Sequence, residues 1–223
     1  MQSEFWHERW AQRQIGFHQN EVHPLLQVLW SRLRPQPAEG AFVPLCGKTL
    51  DMHWLRAQGH PVVGVELSPV AVGEFFAEAN LDPTQRPLGE LICSEAQGLQ
   101  VYCGDFFALQ PGDVAHCRLI YDRGALIALP PAMRRDYARH LRHLFGGGAR
   151  ILLVALDYPQ HETNGPPFAV TAAEVGELYA CGHMTELSRQ DILADSPNLA
   201  QRGVTRLEQV IYLIELGPRD ETL

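Results

Sequence analysis

Short apolar runs alternate with helical patterns through most of this 223-residue chain, and this alternation constrains the fold more than any other feature. The runs long enough for buried strands cover residues 41–45, 61–67, 100–107, 117–122 and 150–156. Helical patterns separate several of them, as over residues 131–145, where three glycines follow. Buried strands joined by crossover helices predict an α/β fold, with a doubly wound parallel sheet covered by helices on both faces.

The two ends of the chain depart from this alternation. Residues 3–14 and 22–33 are predicted as helices that precede the first strand. Residues 184–189 and 207–216 indicate two strands with no helix between them, which predicts an antiparallel hairpin that closes the sheet. Residues 81–95 are less regular, and we expect a connecting loop there. We expect one domain over residues 1–223.

The composition excludes several classes of protein. The formal net charge of −8 disfavours a nucleic-acid partner. The five cysteines are scattered without a Cys-x-x-Cys pair, so neither a disulfide framework nor a zinc site is indicated, and we expect no metal. The N-terminus lacks a signal-peptide pattern, and no apolar run reaches the length of a membrane span. We therefore expect a cytoplasmic monomer with no membrane partner.

The turn after the first predicted strand, Val43-Pro44-Leu45-Cys46-Gly47-Lys48-Thr49, is the candidate ligand site, and three interpretations compete for it. A dinucleotide site needs Gly-x-Gly-x-x-Gly, of which only Gly47 is present. A P-loop needs a glycine five residues before Gly47, but Gly40 lies further upstream, and Pro44 lacks an N–H that the phosphate cradle uses. The third interpretation is a nucleoside cofactor without phosphates, which needs one close backbone approach, at Gly47, and a carboxylate for the ribose.

Glu66 is the candidate for that carboxylate. It ends the second predicted strand and follows Gly47 by 19 residues, near the spacing expected for ribose recognition. The alternative is a solvated glutamate at a strand end with no binding role. Its position after a largely apolar run favours the functional interpretation.

Segments spread from Phe5 to about Leu216 resemble the bacterial thiopurine S-methyltransferases: WHERW, IGFHQ, FVPLCGKTLDM, GHPVVGVELS, EFFAEANL, YDRGALIALP and GPPF. FVPLCGK and DRGAL are quite specific, because ordinary methyltransferases carry a glycine-rich loop at the first site. The resemblance implies a Rossmann-like class I methyltransferase. Its sheet would have seven strands, mostly parallel with an antiparallel last strand, and residues 1–35 would form an N-terminal helical lid region.

The resemblance also implies roles for single residues. The contacts to S-adenosylmethionine would come from Trp10, Leu45, Glu66 and Arg123. Asp105 and Phe106 would flank the adenine, and Phe17 would face the acceptor substrate. Residues 89–99 and 191–206 match the family weakly and are expected to shape the choice of substrate.

The implied chemistry is displacement at a sulfonium methyl group, in which holding donor and acceptor in line lowers much of the barrier. Trp10 is expected to close a lid over the cofactor with a cation–π contact of roughly 0.5–2 kcal/mol, whereas Trp6 is expected to pack on the sheet. Arg123 is expected to orient the cofactor and to stabilise an anionic thiolate. The alternative for Asp122 and Arg123 is a surface ion pair.

The leading hypothesis is therefore an enzyme that moves a methyl group from S-adenosyl-L-methionine to aromatic or heterocyclic thiols such as thiopurines, leaving S-adenosyl-L-homocysteine. Selenium and tellurium compounds are softer nucleophiles of the same kind and are further candidate acceptors. Two alternatives remain open at this point. One is a P-loop-like phosphotransferase, and the other is a non-catalytic cofactor-binding protein.

Overall fold

The computed structural model describes residues 3–218, which fall into two compact units. The first unit ends at Tyr121 and the second begins at Asp122, so that the boundary lies within one strand. Both units contain strands and helices, which confirms the predicted α/β class. The prediction of one domain remains a prediction, and the ends of its range, 1–2 and 219–223, lie outside the described residues.

The first unit contains a parallel core of strands. Its strands are β1 (Gly40–Val43), β2 (Val62–Glu66), β3 (Thr84–Leu88), β4 (Leu91–Ala96), β5 (Leu99–Cys103) and β6 (Cys117–Arg123), whose last two residues belong to the second unit. β1 pairs in parallel with β2 and with β6, and β2 pairs in parallel with β5. Every residue of β1 and β2 is buried, as expected for strands covered on both faces.

The segment predicted as a connecting loop at residues 81–95 instead forms most of an antiparallel hairpin, so that prediction was wrong. β3 pairs with β4, and β4 pairs antiparallel with β5. Most of β3 is exposed, and Pro87 interrupts it. β3 is held in place by its backbone pairing with β4 rather than by burial of its side chains. Its sequence therefore lacks the alternation of apolar and polar residues that would have predicted a strand.

The described residues of the first unit form four α-helices, of which the first two lie within the predicted ranges 3–14 and 22–33. They are α1 (Ser3–Ala11), α2 (Pro24–Leu29), α3 (Asp51–Ala57) and α4 (Pro69–Glu78), and a 3-10 turn at Trp30–Leu33 continues α2. α4 begins as its sequence suggests, with Pro69 in the first turn and the Ser68 hydroxyl accepting the Ala71 N–H at 3.4 Å. α1 ends before residue 14, and Arg13 has a left-handed φ of 55°.

The second unit contains antiparallel strands and three further helices. Its elements are β7 (Arg150–Asp157), β8 (His183–Asp191), β9 (Glu208–Glu215), α5 (Pro131–Phe145), α6 (Ala172–Leu178) and α7 (Pro197–Gln201). β9 pairs antiparallel with both β7 and β8, which confirms the predicted hairpin. The short helix α7 between β8 and β9 was not predicted. It places Leu199 in an apolar cluster with Tyr158 and Leu207.

The number of strands differs from the predicted seven, because residues 3–218 contain nine. The two additional strands are β3 and β4, the hairpin that the sequence pattern hides. Among these residues, no helix has both the length and the apolar composition needed to cross a bilayer.

Candidate active site

The turn that follows β1 is tied to the neighbouring strand and bends through two left-handed residues. Leu45 has a φ of 45° and Gly47 a φ of 55°. The Cys46 N–H between them donates to the Val65 carbonyl oxygen at 2.9 Å. A left-handed φ at a residue such as Leu45 is strained, so its persistence indicates that the surrounding bonds determine the turn. The turn is therefore held by its bond to β2.

Glu66 is buried at the end of β2 and binds this turn directly. Its Oε2 accepts the Gly47 N–H at 2.8 Å, and its Oε1 accepts the Ser68 N–H at 2.8 Å. The side chain is 5% exposed, which rules out the solvated alternative. Burial raises the pKa of Glu66, while the backbone donors of Ser68 and Gly47 oppose that rise. Each carboxylate oxygen has two acceptor positions, so this carboxylate retains capacity for a ligand hydroxyl.

Trp10, in α1, lies against the same turn. Its side chain is 4% exposed, and a methyl group built on Gly47 would lie 3.2 Å from Cζ2 of the indole. Only glycine therefore satisfies both the left-handed φ and the contact with Trp10. The structure thus brings together three of the predicted site residues: Trp10, Gly47 and Glu66.

Phe17 belongs to an aromatic cluster on the N-terminal segment. Its ring lies edge-on to Trp6 at 5.6 Å and to Trp10 at 5.7 Å between centroids. The ring is nevertheless 46% exposed. Trp6, which we expected to pack on the sheet, makes ring contacts with Phe5 and Phe17. Phe17 therefore presents a supported aromatic surface beside the residue that covers the turn.

The charge of Lys48 is directed away from the turn. Its Nζ lies 2.8 Å from a carboxylate oxygen of Glu74 and 2.6 Å from one of Glu78, both on α4. A P-loop lysine instead faces the phosphates of its ligand. The Lys48 charge is therefore paired with α4, although Gly47-Lys48-Thr49 matches the second half of the P-loop motif.

Asp105 and Phe106 follow β5, beside Glu66. Glu66 and Cys103 are register partners in β2 and β5, and the Gly104 N–H donates to the Glu66 carbonyl oxygen at 2.9 Å. Asp105 caps a 3-10 turn by accepting the Phe107 N–H at 3.0 Å. Phe106 is 3% exposed, so its ring belongs to the core. This turn supplies a second element at the carboxyl ends of the parallel strands.

Asp122 and Arg123 end β6, and Asp122 is fully buried. Its Oδ2 accepts the Tyr137 hydroxyl at 2.7 Å, and its Oδ1 accepts the Leu126 N–H at 3.2 Å. Burial raises the pKa of Asp122 to about 6, although Tyr137 and the backbone donors oppose the rise. The alternative of a surface ion pair was therefore wrong for Asp122. Arg123 itself is half-buried.

Two features of the site were missed from the sequence. The Lys48 ion pair had a signal, since Glu74 and Glu78 are four residues apart and share a helix face. The sequence carried no signal for the Asp122–Tyr137 hydrogen bond, because that bond joins a strand to a helix 15 residues further along the chain. Cys46 lies in the turn after β1 and is buried. Burial, and to a smaller extent the Glu66 charge, raises the pKa of its thiol well above the ordinary range, so the thiol stays protonated.

Comparison with known proteins identifies relatives over nearly the whole chain. The family model described as Thiopurine S-methyltransferase (TPMT) matches residues 1–216. The chain is 52% identical over 218 residues to a thiopurine S-methyltransferase of Pseudomonas paraeruginosa, covering 97% of this chain and 100% of that one. It is 46% identical to a thiopurine S-methyltransferase of Nitrosospira multiformis, covering 96% and 98% of the two chains.

Solved structures of low sequence identity share the fold. A SAM-dependent methyltransferase from Anabaena variabilis superposes with a TM-score of 0.63 at 14% identity, covering 96% of this chain and 94% of that one. A Burkholderia thailandensis 1,6-didemethyltoxoflavin-N1-methyltransferase, solved with S-adenosylhomocysteine, gives 0.61 at 16% identity, covering 96% and 87%. The fold is therefore that of the class I methyltransferases, as predicted. Among residues 3–218, no group of three or more His, Cys, Asp or Glu side chains is placed to hold a metal ion.

Proposed function

Because the chain belongs to the thiopurine S-methyltransferase family, we propose that it transfers the methyl group of S-adenosylmethionine to the sulfur of aromatic and heterocyclic thiols. The observation that carries the proposal is the buried carboxylate of Glu66, which is fixed by the N–H groups of Gly47 and Ser68. This arrangement suits a nucleoside that brings ribose hydroxyls and no phosphate. Neither alternative has comparable support, since the phosphotransferase lacks a free lysine at the turn.

The first unit would hold the two ends of the cofactor with different groups. Glu66 would accept hydrogen bonds from the ribose hydroxyls, and the backbone at Leu45 and Gly47 would lie beside the amino-acid moiety. Asp105 and Phe106 would flank the adenine through the turn that follows β5. When bound, S-adenosylmethionine supplies an electrophilic methyl group on a positively charged sulfur.

Trp10 and Phe17 would form the cover of the site. Trp10 already rests on Gly47, so its indole would exclude water and place a π-face near the sulfonium, a contact worth roughly 0.5–2 kcal/mol. The exposed ring of Phe17 would stack on a planar acceptor. An aromatic thiol ionises readily near neutral pH, so its thiolate can attack without a strong base, and its proton passes to solvent.

Arg123 would orient the cofactor and stabilise the thiolate. We expect Arg123→Lys to keep the fold but to lower kcat/KM by about 100-fold, because a lysine cannot reproduce the planar guanidinium. Arg118→Lys is the matched control, since Arg118 lies on the same strand with its side chain exposed. Product mass after incubation with a chromogenic aromatic thiol measures turnover. Full turnover in Arg123→Lys contradicts the role.

The role of Glu66 is tested by calorimetry with S-adenosylhomocysteine. Glu66→Gln is expected to weaken binding by roughly 10- to 100-fold, because a hydrogen bond to a charged group contributes about 1.5–3 kcal/mol. Glu95→Gln, at an exposed position of β4, should bind as the wild type does. Binding of ATP with magnesium, and not of S-adenosylhomocysteine, would support the phosphotransferase interpretation instead. Binding without turnover of any thiol would favour the non-catalytic protein.

We propose that the enzyme acts as a cytoplasmic monomer on small molecules alone, with no nucleic-acid or membrane partner. The negative net charge supports the first exclusion. Light scattering during size-exclusion chromatography would test the oligomeric state. A panel of thiol, selenol and tellurite acceptors would rank the substrates.

A further inference from the structure

We propose that Asp122 is a positioning residue, whose carboxylate closes the loop that carries Arg123 and fixes how that loop presents the guanidinium. The inference rests on the proposed function of Arg123 and goes beyond it by assigning a role to a buried group that the reaction itself does not use. Asp122 does not have to touch either substrate.

The contacts of Asp122 bracket Arg123 in the chain. The Oδ1 atom accepts the Leu126 N–H at 3.2 Å, and the Ala125 N–H also hydrogen-bonds to this carboxylate. Between these points lie Arg123 and Gly124, and Gly124 has a left-handed φ of 100°. The carboxylate thus joins both ends of a tight loop that leaves the end of β6 and enters a 3-10 turn at Leu126–Ala128.

A second element fixes the carboxylate itself. Tyr137, on α5, donates its hydroxyl to Oδ2 at 2.7 Å, and both side chains are fully buried. Tyr179, which follows α6, also acts electrostatically on Tyr137, and its own pKa is raised by burial and by the Asp122 charge. The loop is therefore anchored to the helical layer through one rigid side chain.

Burial of a carboxylate is costly, so a purely structural site would be filled as well by an apolar side chain. What an apolar side chain cannot do is accept two backbone N–H groups and a hydroxyl together. The charged carboxylate of Asp122 therefore fixes the backbone N–H groups of Ala125 and Leu126, and the loop that ends at these residues contains Arg123.

A double-mutant cycle tests whether Asp122 acts through Arg123. Asp122→Asn preserves size and one acceptor oxygen, and we expect kcat/KM to fall about 10- to 100-fold when it is measured at a temperature where the variant remains folded. In the Arg123→Lys background the same substitution should have little further effect, because the group that it positions is already impaired. Asp113→Asn, at an exposed cap that accepts the Gln110 N–H, is the matched control and should keep wild-type turnover.

Two further measurements separate positioning from general damage. With an aromatic thiol that stays ionised above pH 5, kcat/KM of the wild type should fall as Asp122 gains a proton near pH 6, and this acid limb should vanish in Asp122→Asn. Hydrogen exchange at the Leu126 amide should accelerate in the variant. Additive effects in the cycle, or an unchanged acid limb, overturn the inference.

The test also distinguishes the inference from the function on which it rests. Full turnover in Arg123→Lys overturns the role of Arg123, and with it the purpose assigned to Asp122. Full turnover in Asp122→Asn beside an impaired Arg123→Lys overturns the positioning role alone.

Discussion

Two buried carboxylates, Glu66 in the first unit and Asp122 in the second, follow the same principle with different partners. Glu66 is fixed by the N–H groups of Gly47 and Ser68, so backbone alone holds it. Asp122 has two backbone partners, Ala125 and Leu126, and a side-chain partner, Tyr137. The Tyr137 hydroxyl ties Asp122 to α5, whereas Gly47 and Ser68 tie Glu66 to the backbone on either side of it. The comparison therefore distinguishes the binding role proposed for Glu66 from the positioning role proposed for Asp122.

The largest effect that can sharpen this comparison is on the pH dependence of stability. Asp122 has a pKa of 3.8 in the unfolded chain and of about 6 in the folded protein, so the folded state binds its proton more tightly. Its contribution to stability is therefore greatest below pH 4 and declines as the pH rises through 6, by about 3 kcal/mol in total. Asp122→Asn removes this term, so its stability relative to the wild type should improve from pH 4 to pH 7. Urea unfolding at several pH values measures the difference.

The next effect concerns the Tyr137 hydroxyl, the side-chain donor that distinguishes Asp122 from Glu66. Tyr137→Phe should lower the free energy of unfolding by about 1–3 kcal/mol, because it leaves a buried acceptor without its donor. The matched control is Tyr179→Phe, since the Tyr179 hydroxyl is buried without a hydrogen-bond partner in the described part of the chain. That control should be neutral or stabilising. Equal losses in both variants would contradict a specific role for the Tyr137 bond.

The smallest effect concerns the backbone that holds Glu66. Gly47→Ala places a side chain at a φ of 55° and against Trp10, and should cost about 1–2 kcal/mol of stability. Gly73→Ala is the matched control, since Gly73 lies within α4 with open space around it and should stabilise by about 0.5–1 kcal/mol. Thermal unfolding compares the two. A neutral Gly47→Ala would show that the turn is less constrained than its bonds indicate.

Much of the fold was predictable because prolines and glycines mark where several of the buried helices and strands begin and end. α5 spans the predicted residues 131–145, since a proline begins it and three glycines follow it. β2 and β7 were found because nearly every residue in them is apolar. The hairpin of β3 and β4 escaped because β3 is polar, exposed and held by backbone pairing, which leaves no mark in a side-chain pattern.

The site was predictable where chemistry and burial coincide in the sequence. Glu66 stood out as a carboxylate that ends an apolar run, and the structure places it in contact with Gly47, a second residue predicted for the same site. For Asp122 the sequence left a surface ion pair open as the alternative, because neither its burial nor its bond to Tyr137 is encoded near it in the chain. Whether a carboxylate at a strand end faces solvent or the core depends on hydrogen-bond donors in other elements, such as Tyr137 for Asp122. The spacing of residues along one strand does not predict those donors.

The aromatic cluster on the N-terminal segment has an evolutionary consequence. The ring partners of Phe17 are Trp6 and Trp10, so the surface proposed to meet the acceptor is built on residues that precede β1. Glu66 and the Gly47 turn are instead fixed by backbone bonds among the strands. Selection can therefore alter the range of acceptors by changing residues of the N-terminal segment other than Trp10, while the contacts proposed between the methyl donor and Glu66 or the Gly47 turn stay the same.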